Sequence, residues 1–375
     1  MIKKRILAVY LLAFFNLTGC AEPQILEEIG LITTIGYDEG EKGLIKGTAV
    51  ELKIEPDAKT DIKIVETQAY SVRGLNTSAN KKTSKRLLAG QLRVILLGEE
   101  LAHQRMLHIS DTLAKDPAIS DLSYLSIVEG EARDLLNLQD PHIPNIGLHL
   151  FRLIEQNTKD EIMPSATLQE VLHRYYSAGR DPFIPILKKI DNSEVKFTGV
   201  GIYKDDRLVG RISTDQSFYL KLINDKYKAG STELIFMSES PKLRGLSHSE
   251  RKTVISLDTI HSNSDIKLVN KKNLEFDIKV KLNARLIDIN SDIDLTKSSN
   301  LKLFEKEVSK EMEKRVENLI AYCQSKNSDI IGLGEVYRFS VRNSKLTKKK
   351  WHEMYPNAKV NVKVDFTMMR SGIND

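Results

Sequence analysis

Two segments in the last third of the chain alternate strictly between apolar and polar residues. In "FDIKVKLNARL" (276–286) one face collects the apolar side chains of Phe276, Ile278, Val280, Leu282, Ala284 and Leu286. The segment 360–368 repeats this with Val360, Val362, Val364, Phe366 and Met368. Side chains on a β-strand point alternately to its two faces, so both segments predict strands with one wet face. One-sided sheets of this kind are typically antiparallel, and we expect antiparallel pairing.

The segment between these strands predicts a long amphipathic helix at about 300–325. One arc holds Leu301, Phe304, Val308, Met312, Val316, Leu319, Ile320 and Cys323. Glu311 and Arg315 form a supporting pair one turn apart. A helix packed over the one-sided sheet is favoured, and a coiled coil with a partner helix is the alternative. In either case Cys323 is expected to be a buried, inert thiol.

The first half of the chain alternates strands with helices. Two strands joined by a turn at 38–43 are followed by a helix expected around Ser78–Leu88 and another from Glu99 to about Lys115. The prolines of "DPFIPIL" are expected to break the pattern. From residue 190 onward, a hairpin turning at Asp205-Asp206 precedes a helix at about 215–224.

The predicted fold class is therefore α+β, with mixed and antiparallel β-sheets flanked by α-helices. The chain length favours a multidomain protein. We expect three domains after a signal peptide at 1–19: an α/β domain at 20–194, a small β-rich domain at 195–262, and an α+β domain at 263–375.

The N-terminus has the pattern of a secreted protein. A positive head at 3–5 precedes ten apolar residues at 6–15, too few to span a bilayer. The following "LTGC" (17–20) resembles the bacterial lipobox. We therefore predict cleavage between Gly19 and Cys20, with diacylglyceryl and N-acyl groups on Cys20. A plain cleaved signal peptide with an incidental cysteine is the alternative.

Processing changes the charge and cysteine balance of the chain. The formal net charge is +5, and removing three positive charges with residues 1–19 leaves +2. This value does not favour nucleic-acid binding. The chain has two cysteines, so acylation of Cys20 would leave Cys323 without a partner for an internal disulfide.

The sequence shows no recognisable catalytic or metal-binding pattern. The eight histidines do not cluster at zinc-ligand spacings, so neither metal nor cofactor is expected. The glycines of "GVGIYK" and "GLGEVY" do not continue into a dinucleotide-binding fingerprint. The carboxylate pairs 99–100 and 205–206 sit at a helix start and a turn, where capping or solvation is typical. We therefore expect no enzyme activity.

One basic and aromatic segment is a candidate contact surface. Lys348, Lys349 and Lys350 precede Trp351, and together these side chains could contact a partner protein or anionic headgroups. A solvated basic face is the alternative interpretation.

The chain resembles the Ger(x)C family along its whole mature length. After the lipobox, the resemblance is carried by "EIGLITTIGYD", "RVILLGEELA", "IVEGEARDLL", "GRDPFIPIL", "GVGIYKDDRLVGRIS", "SDIIGLGEVYRFS" and "KKKWHEMYPNAKVNVKVDFTMMRSG". Asp329, Gly334, Trp351 and Gly372 stand at positions typical of the family. The chain departs from it at Ala21-Glu22, where an aromatic-acidic pair is common, and in "LINDK", which lacks a frequent glycine.

The resemblance implies the lipid-anchored C subunit of a nutrient germinant receptor in a Bacillus-like spore. Such a subunit lies on the outer face of the spore inner membrane and works with two integral membrane subunits, A and B. It is needed for germination, and we expect no direct nutrient binding by it. The alternatives are an extracytoplasmic solute-binding lipoprotein of a transporter, an extracytoplasmic enzyme and a structural surface protein.

Overall fold

Two β-sheets and the helices packed on them organise the chain. The structure is a computed structural model and describes residues 28–53, 62–104, 106–138, 140–191, 194–237, 252–290 and 293–369. The first sheet has nine strands and the second has four. Mixed sheets flanked by helices confirm the predicted α+β class.

The first sheet is mixed, with parallel strands at its centre. Its strands are β1 (Ile29–Glu39), β2 (Ile45–Leu52), β3 (Ile62–Ala69), β4 (Arg86–Leu88), β5 (Val94–Gly98), β6 (Tyr124–Val128), β7 (Phe183–Lys189), β8 (Val195–Lys204) and β9 (Arg207–Ser213). Their order is β3-β2-β1-β5-β6-β7-β8-β9, and β4 pairs with β1. Strands β1, β5, β6 and β7 are parallel to their neighbours within that group. The antiparallel strands lie toward the two edges.

Helices cover the first sheet on its two faces. They are α1 (Val72–Asn80), α2 (Glu99–Ala102), α3 (Met106–Ala114), α4 (Ala132–Leu136), α5 (Ile146–Lys159), α6 (Leu168–Tyr176) and α7 (Thr214–Asn224). Every residue of β5 is buried, and Val94 and Ile95 belong to separate core clusters. Burial on both faces explains why "VILLG" is a continuous apolar run.

The second sheet has four strands, and three α-helices lie in the chain between its last two strands. Its strands are β10 (Gly230–Met237), β11 (Lys252–Asn270), β12 (Glu275–Ile289) and β13 (Lys359–Met369), in the order β10-β11-β12-β13. Its helices are α8 (Ser298–Ser325), α9 (Leu333–Ser340) and α10 (Lys348–Met354). The side chains of Phe276, Ile278, Val280 and Leu282 are fully buried, as the alternation predicts.

The pairing of β12 with β13 corrects one prediction. The two strands are parallel, with Phe276 beside Val360 and Val364 beside Val280. Alternation shows which face of a strand is buried, but it carries no information about the direction of the neighbouring strand. Here the chain returns through α8, α9 and α10, and a connection of this length permits a parallel partner.

Three local predictions were also wrong. The first helix lies at 72–80, where Ser71 accepts a hydrogen bond from the Gly74 amide and caps the N-terminus. The helix expected from Glu99 is divided into α2 and α3. "DPFIPIL" is strand β7, and Pro185 precedes the two residues through which β7 pairs with β6. Pro185 also lies beside Val200 in the antiparallel pairing of β7 with β8, so the strand accommodates its fixed φ near −65° although proline has no N–H to donate.

The sheets group the strands differently from the predicted domains. Strands β8 and β9 complete the first sheet beyond residue 194, and β11 extends across residue 262. The three-part division stays a prediction. Within the described ranges, no helix combines the length and apolar composition needed to cross a bilayer.

Helix α8 also covers the edge of the second sheet. The carboxylates of Glu305 and Glu313 accept the amide N–H groups of Met368 and Val364 at 2.9 and 3.1 Å. Between them the Ser309 hydroxyl accepts the Phe366 amide at 3.1 Å. Four helical residues rise about 6 Å, and two strand residues advance about 6.6 Å. Because the two spacings match, a row of acceptors on α8, formed by Glu305, Ser309 and Glu313, accepts hydrogen bonds from every second backbone amide in this part of β13.

We predict that Glu313→Ala lowers the free energy of unfolding by about 1–3 kcal/mol, because the Val364 amide loses its acceptor. Chemical denaturation followed by circular dichroism measures this. Glu317→Ala is the matched control, since Glu317 is exposed on the same helix and should change stability by less than about 0.5 kcal/mol. Equal stabilities for the two variants would contradict the role of this row.

Candidate functional site: a buried carboxylate junction

Two loops, one from each sheet, meet at a pair of buried aspartates. Asp181 precedes β7, and Asp329 lies between α8 and α9. The Asp181 amide donates to the Asp329 carbonyl at 2.8 Å, and the Asp329 amide donates to Asp181 Oδ2 at 2.8 Å. This reciprocal pair joins the first sheet to the C-terminal helices.

The Asp329 carboxylate organises the start of α9. Its Oδ1 accepts the Gly332 amide at 2.8 Å, and its Oδ2 accepts the Gly334 amide and Trp351 Nε1, each at 2.9 Å. Gly332 has a φ of 91°, a left-handed conformation that glycine adopts readily. Burial raises the pKa of Asp329 to about 6, although the Gly334 and Gly332 amides oppose this rise.

The Asp181 carboxylate holds α10. His352 Nε2 lies 3.0 Å from Asp181 Oδ2, and the Asp205 amide donates to Asp181 Oδ1 at 3.4 Å. On its other side, His352 Nδ1 lies 3.8 Å from Asp205 Oδ2. The imidazole therefore lies between two carboxylates of the first sheet's loops, and its hydrogen bond with Asp181 attaches α10 to the first of them.

Glycine at two positions allows the loops to approach closely. A Cβ added at Gly334 would lie 2.6 Å from the Gly179 Cα and 2.6 Å from the Trp351 ring. Next to this contact, the Glu335 amide donates to the Gly179 carbonyl at 3.0 Å. The Ser177 hydroxyl donates to Glu335 Oε1 at 2.7 Å. Side chain and backbone thus fix α9 against the segment before β7.

Trp351 lies inside this junction, which corrects its prediction as a contact residue. Its side chain is 1% exposed. The ring packs near Phe276, Tyr337 and Tyr355, with centroid distances of 6.4, 6.1 and 5.7 Å. The predicted contact segment is part of helix α10, and about two turns are too few for periodicity to separate a buried tryptophan from an exposed one.

The three lysines beside Trp351 occupy different environments. Lys348 Nζ lies 4.0 Å from the Tyr175 ring centroid and 3.9 Å from Asp205 Oδ1. Burial lowers the pKa of Lys348, while nearby aspartates oppose the shift. Lys349 and Lys350 are exposed. The candidate contact surface is therefore reduced to these last two lysines.

The other predicted residues lie away from the junction or outside the described chain. Cys323 is a buried free thiol on α8, as predicted, and burial raises its pKa. Gly19, Cys20 and Gly372 lie outside the described residues. No group of three metal-ligating side chains is arranged to hold an ion in the described part of the chain.

The junction is suited to holding α9 and α10 in place against the first sheet. The Asp329 side chain accepts from two backbone amides and an indole, and Asp181 accepts from two backbone amides and contacts the His352 ring. The adjacent Ser328 hydroxyl is itself engaged, since it donates to the Tyr203 carbonyl at 2.6 Å. No local sequence pattern marks Asp181 and His352 as partners, although "GRDPFIPIL" and "KKKWHEMYP" contain them.

Comparisons with known proteins agree with this two-sheet architecture. Residues 22–189 match the model described as "Spore germination protein N-terminal domain". Residues 198–372 match "Spore germination B3/GerAC like, C-terminal". The crystal structure of the GerBC protein has a TM-score of 0.56 at 18% identity, covering 90% of this chain and 97% of that chain.

Two curated relatives extend over nearly the whole chain. The spore germination protein GerQC of Bacillus cereus is 26% identical over 99% of this chain and 100% of its own length. The spore germination protein KC of Bacillus subtilis (strain 168) is 24% identical over 100% of this chain and 98% of its own. The fold and these relatives together define the class, which is that of spore germination proteins built on two β-sheets. Within that class, the chain belongs to the Ger(x)C family.

We predict that Gly334→Ala destabilises the protein by about 1–3 kcal/mol, because its Cβ overlaps Gly179 and the Trp351 ring. Gly90→Ala is the control, since a Cβ there meets no atom within 4 Å. Trp351 is the single tryptophan of the chain, so its fluorescence reports unfolding of the junction directly. Equal stability of the two variants would refute close packing at Gly334.

We also predict a pH dependence that Asp329→Asn removes. The folded protein binds the Asp329 proton more tightly than the unfolded chain, because the pKa is raised to about 6. The stabilising contribution is therefore complete below about pH 4 and is lost as the pH rises toward 6. Relative to the variant, the wild type should lose about 2 kcal/mol between pH 4 and pH 6. Parallel stability curves for both proteins would contradict a raised pKa.

Proposed function

We propose that the chain is the lipid-anchored C subunit of a spore nutrient receptor, needed for germination in complex with two integral membrane subunits. The observation that carries this proposal is the end-to-end similarity to GerQC and KC, both described as spore germination proteins. A subunit of this kind acts by docking, without turnover of a substrate. The junction supports this role because its polar groups are engaged in holding helices.

Lipidation of Cys20 would place the chain at the outer face of the spore inner membrane. Two or more acyl chains give stable anchoring, whereas one chain binds only marginally. A tethered protein meets neighbouring membrane subunits at a high effective concentration, so individual contacts can be weak. The anchor therefore explains how a chain without a described membrane-spanning helix joins an integral membrane complex.

The exposed lysines of α10 form a candidate contact surface in this complex. Lys349 and Lys350 project from a helix that Trp351 and His352 attach to the junction. Because the helix is fixed, these charges have defined positions relative to both sheets. Lys348 is excluded from the surface, since its Nζ is packed over Tyr175.

We predict that Cys20→Ala prevents lipidation and reduces the membrane-bound fraction at least tenfold, with loss of the germination response at normal protein abundance. Mass spectrometry of the mature N-terminus and co-purification with the membrane subunits measure the two steps. Cys323→Ala is the matched control, because it removes the other cysteine and leaves the N-terminus intact. An unmodified N-terminus at or beyond Cys20, or normal germination by a released Cys20→Ala protein, would overturn the anchored-subunit proposal.

A further inference from the structure

A cleft of about 540 Å³ lies along β10, the edge strand of the second sheet. Residues 231–235 of the strand form one wall, and α7 with residues 161–162 forms the other. The rings of Phe218, Tyr219 and Tyr227 lie at its base and are buried. Five strand residues extend about 16 Å, so the cleft follows a length of backbone that a short extended peptide could pair with.

The backbone of β10 presents hydrogen-bonding groups to this cleft. The Ile235 carbonyl accepts a hydrogen bond from Arg315 Nη2 at 2.9 Å, so it points away from β11. In an antiparallel pair, outward-facing and inward-facing residues alternate. Glu233, two residues earlier, therefore also directs its amide N–H and carbonyl into the cleft.

Side chains contact the backbone amides of two other edge strands, β13 and β9. Alternate amides of β13 donate to Glu305, Ser309 and Glu313. At the edge of the first sheet, the Arg211 amide of β9 donates to the Tyr322 hydroxyl at 3.2 Å. Natural proteins usually guard edge strands against pairing with other chains. Among the described residues, none forms a hydrogen bond with the Glu233 backbone on this side of β10, in contrast to the contacted amides of β13 and β9.

Exposed apolar residues stand on both walls of the cleft. Ile162 is 48% exposed and Ile235 is 47% exposed. Together with the aromatic base, they provide the alternating apolar contacts that a strand added to a sheet edge uses.

The cleft has a negative charge balance. Glu161, Asp215 and Glu233 contribute three carboxylates to its lining. Among the described residues that line it, Arg315 carries the guanidinium, which is paired with Glu311 at 2.9 Å. A bound segment with a basic side chain would therefore complement the cleft.

We propose that this cleft binds an extended segment of a partner receptor subunit, which pairs with β10 as an added strand and carries at least one Lys or Arg side chain. The inference rests on the proposed function, since it names a docking surface of that complex in addition to the exposed lysines of α10. Backbone pairing with β10 provides affinity, while the aromatic base and carboxylates select the side chains.

Photocrosslinking in the full-length membrane-bound protein tests this docking surface. A photoreactive residue at Ser231 should crosslink to a membrane subunit, and mass spectrometry should place the link in a segment containing Lys or Arg. The same residue at the exposed Thr367 on β13 is the control and should give no such product.

Two variants of Glu233 separate backbone pairing from charge. Glu233→Pro removes the outward amide and should weaken the Ser231 crosslink at least tenfold, since an edge strand tolerates proline where its N–H faces outward. Glu233→Lys keeps the amide, reverses the charge and should weaken the crosslink by a similar factor. If Glu233→Pro lowers the melting temperature, Glu233→Lys decides the outcome.

Several results would overturn the inference: a crosslink to a second copy of this chain, a partner segment without a basic residue, an unchanged crosslink in both variants, or no crosslink. Co-purification of the wild type with the membrane subunits distinguishes the two proposals. If the complex is recovered and Ser231 gives no crosslink, the docking surface is wrong and the proposed function stands. If no complex is recovered, the proposed function fails as well.

Discussion

The reciprocal hydrogen bonds between Asp181 and Asp329 determine how the two sheets are joined. Both side chains are buried, where an unpaired carboxylate would be strongly destabilising. Donors from Gly332, Gly334 and Trp351 surround Asp329 and offset much of that cost. Buried charged groups contribute little net stability compared with apolar packing, but they accept only one arrangement of donors. We infer that the junction specifies orientation more than it adds stability.

Three of the residues at family-typical positions meet in this junction and position the helices beside it. Asp329, Gly334 and Trp351 are separated by up to 22 residues in the chain and form one contiguous contact. Gly334 leaves room for the close contact between the loops. The Asp329 carboxylate orients the start of α9, and its hydrogen bond with the Trp351 indole attaches α10. None of these residues is exposed, so their common effect is to position α9 and α10 beside the first sheet. Under the proposed docking role, this fixed placement would keep the surfaces of α9 and α10 at constant positions relative to the first sheet.

Periodic elements were predictable from the sequence, and the junction was not. The helix expected at 300–325 is α8, and the two alternating strands end within a few residues of their predicted limits. These elements bury one face over many residues, so the pattern is repeated and clear. Asp181 and Asp329 are 148 residues apart, and no local pattern connects them.

The short helices and the direction of β13 relative to β12 were also not predictable from the sequence. The Lys-rich flank of Trp351 is typical of an exposed interface, and composition does not show that Asp329 offers an acceptor to the indole. The break between α2 and α3 follows only a few residues after Glu99, too soon for helical periodicity to show it. The parallel pairing of β12 and β13 depends on the return path of the chain, which alternation does not record.

Helix α8 relates the junction to the two edges of the second sheet. Its apolar arc buries the inner face, its row of Glu305, Ser309 and Glu313 occupies the β13 edge, and Arg315 reaches a carbonyl on the β10 edge. The same helix leads directly into Asp329, so the junction and the sheet edges share one rigid element. Covering β13 removes the amides through which another strand could pair there. Strand addition to this sheet is thereby directed to β10, where Arg315 engages a single carbonyl and the carboxylates favour a basic partner.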